Sequence, residues 1–170
     1  MTDHGLQGEQ LEEFRARRDA LAAQYLKASN ARPATSARGV HHVALISSDV
    51  EQTVRFYDGL LGFPLVEMFE NRDYLGSTHF FFDIGLGNNL AFFDLPGVDL
   101  GPYAEVLGGL HHIAISMEPA QWEAARDRLD KAGVNYDHQS GTSLYFLGPD
   151  GERLELISDP LGWMYGNSVG

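Results

Sequence analysis

Apolar and polar positions along this chain follow two periods, and the order in which the periods occur is repeated. Gly-Val-His41-His42-Val-Ala-Leu reads as an extended strand, with His42, Ala44 and Ile46 on one face and His41, Val43 and Leu45 on the other. Ser47-Ser48-Asp49 then supplies a helix N-cap. Val50, Val54, Tyr57 and Leu61 follow at steps of four, three and four before Gly62 ends the helix. Three short runs, PLVEMFE, THFFFDIG and NNLAFFDLP, are separated by turn-forming Asn, Asp and Gly and predict three strands. The same order returns from Gly-Leu-His111-His112-Ile-Ala-Ile, where His112, Ala114 and Ser116 share a face. Pro119 opens the second helix, Trp122, Ala125 and Leu129 mark its buried stripe, and Gly133 follows its end. GVNYDHQ, TSLYFLGP and ERLELISD predict three further strands, with GPDG as a turn. Residues Phe81 to Ala91 overlay Tyr145 to Glu155 without a gap, so Leu90 falls on Leu154 and Ala91 on Glu155.

This duplication predicts an α+β fold of two βαβββ modules plus an N-terminal helix. Residues 1–38 are expected to be an N-terminal extension, polar and loose to about residue 8. A helix is expected from Glu9 to about Lys27, with Leu11, Phe14, Leu21, Ala22 and Tyr25 at roughly helical spacing, packing on its own domain or on a second subunit. A linker rich in small and polar residues spans 29–39. The first module then covers 39–97, a connector 98–107, the second module 108–160 and a C-terminal tail 161–170.

The composition narrows the partners. A formal charge of -12 opposes a nucleic-acid backbone or an anionic membrane surface and favours a small molecule. The absence of cysteine excludes disulfides and thiolate metal sites. The N-terminus has neither the basic start nor the apolar stretch of a signal peptide, and no long apolar run follows. A soluble cytoplasmic protein is expected.

Chemistry concentrates in RLELIS. There Glu155 is inserted between Leu154 and Leu156, and a buried carboxylate costs several kcal/mol unless it is paired or binds a metal. Glu155 alone could pair with Arg153, and a lone strand histidine is commonly a satisfied core residue. The duplication changes this, because one folding operation carries His42 and His112 to equivalent places. Two imidazoles and a carboxylate with open positions opposite make the facial triad of non-haem Fe(II) enzymes, a set that also accepts Mn(II), Zn(II) or Ni(II). His42, His112 and Glu155 are therefore the expected metal ligands.

The order of elements, together with HHVAL, FYDGLLGF, HHIAI and YFLGPDGERLEL, resembles the vicinal oxygen chelate superfamily over about residues 39 to 160. That superfamily includes glyoxalase I, extradiol dioxygenases, methylmalonyl-CoA epimerases, fosfomycin-resistance thiol transferases and bleomycin-binding proteins. The resemblance implies that the two βαβββ modules form a curled mixed sheet around a metal cavity, the metal being held by residues of the first and last strands. Glyoxalases and epimerases usually add a fourth protein ligand where this chain has Ala91. Fosfomycin transferases match SLYFLGPDGERLE, yet their phosphonate-binding threonine is replaced by Ala44 and their downstream arginine position falls near Met164. Extradiol dioxygenases carry a tyrosine ten residues before the glutamate, which Tyr145 matches, and the resemblance implies that its hydroxyl binds a substrate oxygen. Their acid-base histidine falls at about Asn88, an amide that donates a hydrogen bond but cannot take a catechol proton. His79 or His138 could compensate from neighbouring strands. Phe81 and Phe93, from a cluster that includes Phe80, Phe82 and Phe92, would line the cavity and favour a neutral aromatic substrate.

The resulting expectation is a single-domain extradiol-type dioxygenase with Fe(II). A glyoxalase-like lyase or isomerase and a metal-free binding protein are the alternatives. A homodimer is expected, in which the modules pair within one chain or exchange between chains so that His42 and the His112–Glu155 pair come from different subunits.

Overall fold

Residues 5–169 are described by a computed structural model, and the chain divides between Arg38 and Gly39 into two compact units. The expected loose start falls partly outside the described residues. The first unit holds α1 (Gly8–Tyr25), which ends two residues before the expected Lys27 and buries none of its side chains. Phe14, Leu21 and Tyr25 are exposed. Leu11, Phe14, Leu21 and Tyr25, the four large apolar side chains in 18 residues, make too thin a stripe to form a core of their own, and α1 rests on good helix formers and local ion pairs such as Arg15–Glu12 at 2.8 Å. A 3₁₀ turn at Ser29–Ala31 interrupts the expected linker.

The second unit contains the repeat. Its first half runs β1 (His42–Ile46), α2 (Val50–Val54), β2 (Leu65–Glu70), β3 (Thr78–Asp83) and β4 (Asn89–Phe93). The Asp49 side chain caps α2 by accepting from the Gln52 amide at 2.9 Å. The helix then continues as a wider π-helical segment over Arg55–Leu61, which the sequence pattern does not reveal. Gly62 ends it at φ 79°, a left-handed conformation that favours glycine. The second half runs β5 (Ile113–Ser116), α3 (Pro119–Ala132), β6 (Asp137–Gln139), β7 (Ser143–Leu147) and β8 (Arg153–Ile157). Each half forms its own four-stranded mixed sheet, in the orders β1-β4-β3-β2 and β5-β8-β7-β6. β1 and β5 are therefore edge strands, with one side of each unpaired by the other sheet. The expected tail is instead a small hairpin, β9 (Trp163–Met164) with β10 (Asn167–Ser168).

One core joins the halves. Phe80, Phe82, Leu90 and Phe92 of the first sheet and Leu144, Phe146, Leu154 and Leu156 of the second are buried with Tyr57 and with Trp122, Ala125 and Leu129 of α3. Arg128 of α3 donates to the carbonyls of Leu60 at 2.7 Å and Leu61 at 2.8 Å, capping the π-helical segment from the other half. The Tyr57 hydroxyl, fully buried, donates to Glu152 Oε1 at 2.6 Å. Burial raises the Glu152 pKa above the usual carboxylate range, although the bond from Tyr57 pulls it down. Because the helices lie against the apolar faces of both sheets, the two faces bearing alternate residues such as His42 and Glu155 are left for other use. Among the described residues no helix is long and apolar enough to cross a membrane.

Candidate metal centre

Strand register builds the second half of the site. Glu155 pairs with Ala114 on the β5 side and with Tyr145 on the β7 side, so all three share the face turned away from α3. The carboxylate is only 3% exposed, and its ion-pair partner is His112, whose Nε2 lies 3.2 Å from Oε2. A lone pair facing a carboxylate at this distance needs a proton or a cation between them. Two ligand atoms each about 2.1 Å from one ion and roughly at right angles sit about 3 Å apart, so this pair fits two positions of a metal coordination shell. The other imidazole nitrogen is committed: His112 Nδ1 lies 2.7 Å from His111 Nδ1. His111 Nε2 in turn approaches Glu105 at 3.9 Å, and Glu105 binds Arg153 at 2.7 Å. Outer partners of this kind fix the tautomer and ring orientation of a metal-binding histidine. Glu155 therefore does not pair with Arg153, which the connector has already engaged.

Tyr145 completes this half. Its ring meets His112 edge-on at 5.7 Å. Burial, the neighbouring Glu155 carboxylate and the phenol of Tyr165 push its pKa well above the usual phenol range, so the hydroxyl keeps its proton.

The first half repeats the histidine arrangement and lacks the acid. His42 Nδ1 is 2.9 Å from His41 Nδ1, again leaving Nε2 free of that bond. In place of Glu155 stands Ala91, fully buried and paired in register with Ala44 and Phe81. Around it the face is aromatic. Phe81 lies edge-on to His42 at 6.3 Å, and His79 stacks on Phe93 at 3.7 Å and contacts Phe81 at 4.2 Å. His79 Nε2 is enclosed without a hydrogen-bond partner. Burial, then the proximity of His42, lowers the His79 pKa below 6.5, which makes the ring a neutral part of this aromatic floor.

Two expected site residues lie elsewhere. His138 pairs in register with Leu144 and packs 5.5 Å from the Trp122 ring, on the helix side of the sheet, so the sheet separates it from Glu155. Asn88 is used in the β3–β4 turn, where its Nδ2 donates to the Gly85 carbonyl at 3.1 Å. Sequence reasoning missed Phe69, whose ring joins His79 at 5.2 Å, and Tyr165 beside Tyr145. An aromatic residue followed by Gly166, ten positions after the acid, was the available signal for Tyr165.

Within one chain the two halves do not close. Among the described residues no three metal-ligating side chains gather into one cluster, because His42 stands with the first sheet and His112 and Glu155 with the second.

Residues 39–156 match the Glyoxalase/Bleomycin resistance protein/Dioxygenase superfamily. A putative ring-cleaving dioxygenase, MhqA of Bacillus subtilis, is 25% identical over 139 residues, covering 77% of this chain and 43% of that protein. The chain thus spans less than half the length of this relative. The metallothiol transferase FosB of Shouchella clausii is 32% identical over 131 residues, covering 72% of this chain and 82% of the transferase. The crystal structure of the fosfomycin resistance protein FosX from Mesorhizobium loti superposes with a TM-score of 0.57 at 25% identity, over 74% of this chain and 94% of that one. The chain belongs to the glyoxalase/bleomycin resistance protein/dioxygenase superfamily.

Proposed function

We propose that this chain is a metal-dependent, extradiol-type dioxygenase acting on a small neutral aromatic substrate with two adjacent oxygens, and that it works as a homodimer. His42, His112 and Glu155 would hold the cation, with Fe(II) favoured over Mn(II), Zn(II) or Ni(II). Bound there, Fe(II) would supply the redox chemistry that joins dioxygen to a chelated ring. The observation that carries the reading is the buried Glu155 carboxylate facing His112 Nε2 at 3.2 Å, a pair that fits two of the three ligand positions. His42 starts the open edge strand β1 and His112 immediately precedes the open edge strand β5, so a second chain can bring its β5 edge beside β1 and complete the set.

The residues around the ligands fit a neutral ring. Phe81, Phe93 and uncharged His79 form a floor on which an aromatic substrate stacks beside His42. Tyr145 stands opposite Glu155 across the β7–β8 pair and keeps its proton, so its hydroxyl would serve as a hydrogen-bond donor to a substrate oxygen bound at the cation. With Asn88 bound into its turn, that residue contributes no proton acceptor to this floor.

Thiol transfer to a small substrate is the second reading, favoured by the 32% identity with a transferase over most of both lengths. Against an anionic substrate of that kind, Ala44 stands beside His42 on β1, and Arg153 is engaged by Glu105 at 2.7 Å.

Elemental analysis of protein purified without air, combined with oxygen uptake in the presence of catechol, tests the proposal. About one iron per chain with catechol-dependent uptake is expected. Manganese or zinc without uptake, together with conjugation of a thiol to an epoxide, would overturn it in favour of transfer. Protein that holds no metal and binds aromatics would overturn it in favour of a binding role.

A further inference from the structure

We infer that Glu67 on β2 selects the substrate by what its ring carries: a hydrogen-bond-donating arm, hydroxyl or ammonium, at the end away from the paired oxygens. The inference rests on the reading above, keeps its uncharged ring and adds the group that the ring bears.

β2 is the outer strand of the first sheet, and a fault in its pairing turns its side chains toward the aromatic floor. Leu65 stands opposite Phe82, and an unbroken ladder would then set Glu67 opposite Phe80, on the buried face against the helices. One extra residue, Val66, shifts the register, so that Glu67 stands opposite Phe81 and Phe69 opposite His79. A bulge of this kind re-aims the side chains that follow it. The rings show the result: Phe69 lies 5.8 Å from Phe81 and 5.2 Å from His79. Glu67, two residues earlier on the same face, stands at the rim of the floor.

That rim is far from the cation. The row Ala44, Ala91, Phe81, Glu67 crosses the whole sheet, and three strand spacings amount to roughly 14 Å. A ring whose oxygens reach a cation about 2 Å from His42 lies over Phe81, which is 6.3 Å from the His42 ring, and points its far end at Glu67. An ionised carboxylate only accepts. Glu67 Oε1 takes the Met68 amide at 3.0 Å, which holds the group at the strand edge, and among the described residues no cation pairs with it. Arg72, the nearest cation along the chain, is held by Asp73 at 3.0 Å. Asp137 has the equivalent place on the second sheet, opposite Tyr145, and there Gln139 Nε2 already donates to it at 2.6 Å. Glu67 thus keeps an oxygen for a donor from outside the chain. The rings of Phe69 and Phe81 beside it add cation–π attraction for an ammonium group. A carboxylate arm would meet repulsion.

Isothermal titration calorimetry of the full-length, Mn(II)-loaded protein without oxygen tests the inference. Four catechols with the same two-carbon arm are compared: dopamine ends in ammonium, hydroxytyrosol in hydroxyl, ethylcatechol in no polar group and hydrocaffeate in carboxylate. The better of the two donors should bind about fivefold tighter than ethylcatechol, as expected of an exposed ion pair or hydrogen bond beside aromatic rings, and hydrocaffeate should bind weakest. Glu67→Gln should abolish the donor's advantage, and Glu67→Lys should transfer it to hydrocaffeate. Glu70→Gln, on the same strand but opposite Thr78 on the other face, removes the same charge and should leave the order unchanged. No advantage for either donor in the wild type would show that Glu67 only guards an open sheet edge. An advantage that survives Glu67→Gln would assign it to the net negative charge of the chain. Either result overturns the inference. Repeating the series on metal-free protein separates it from the metal reading: equal affinities with and without Mn(II) sink that reading, whereas the effect of Glu67→Gln on the arms decides the inference in both states.

Discussion

The two sheets of the second unit share strand order, register and paired histidines, and differ at the residues facing away from the helices. On the first sheet, His79, Phe81, Ala91 and Phe93 occupy the positions held on the second by Ser143, Tyr145, Glu155 and Ile157. The helix-facing residues keep their apolar character in both: Leu90 and Phe92 answer Leu154 and Leu156. Packing against the helices constrains one face of a strand and leaves its alternate residues free to diverge. The duplicated scaffold was kept, while one copy became an aromatic floor and the other carries the carboxylate, its phenol and the outer partners that hold them.

Moving the carboxylate between the sheets should produce the largest effect. Glu155→Ala is expected to lower metal affinity by about 100-fold or more, read by calorimetric titration with Mn(II). The reciprocal change, Ala91→Glu, places an acid on a fully buried position beside Phe81, and should destabilise the metal-free protein by about 3–5 kcal/mol in urea unfolding. Equal tolerance of both changes would show that the asymmetry between the sheets carries no chemistry.

The separation of the halves within one chain gives the next test. A purified mixed dimer of one His42→Ala chain and one Glu155→Ala chain should regain about half the metal of the wild-type dimer, since exchange between chains leaves one complete ligand set in two. Each variant alone should bind little. If the mixed dimer binds no more than its parents, the ligands do not come from different chains.

The contact that ties the two halves together should give a smaller effect. Tyr57→Phe removes the donor to Glu152 and leaves a buried carboxylate short of one bond, at a cost of about 1–3 kcal/mol. Gly148→Ala should act on the same contact, because a Cβ there would collide with the Glu152 carboxylate and force it from Tyr57. The Tyr57→Phe and Gly148→Ala losses should therefore fail to add.

Much of the fold was legible because helix and strand periods each appear twice, and one copy supports the reading of the other. Glu155 was legible for a local reason: an acid between two leucines on a strand has no inexpensive alternative to a buried partner. His138 was misplaced because its face depends on the register of β6 against β7, which pairs it with Leu144 and sets it on Trp122. Asn88 was misplaced by an offset that ignored the turn it closes. The hairpin bearing Tyr165 was hidden by its shortness, as two strands of two residues leave no period to detect. That the ligands part into two groups depends on how both sheets pack on a shared helix layer, and periodicity along a strand does not encode this.

The smallest expected effect separates His79 from its counterpart Ser143, which does not titrate. Burial among Phe69, Phe81 and Phe93, with His42 nearby, holds the His79 pKa below 6.5 in the folded chain. The unfolded chain therefore binds this proton more readily. Its contribution to stability is complete above pH 6.5 and is lost as the pH falls through the lowered folded value. Within that window the slope cannot exceed one proton, about 1.4 kcal/mol per pH unit. The informative quantity is the difference in unfolding free energy between wild type and His79→Phe. That difference should be constant above pH 7 and should shift against the wild type as the solution is acidified, while Ser143→Ala should show no such slope. A difference independent of pH would mean that His79 takes up its proton as easily folded as unfolded, and that the floor beside His42 is more polar than its rings suggest.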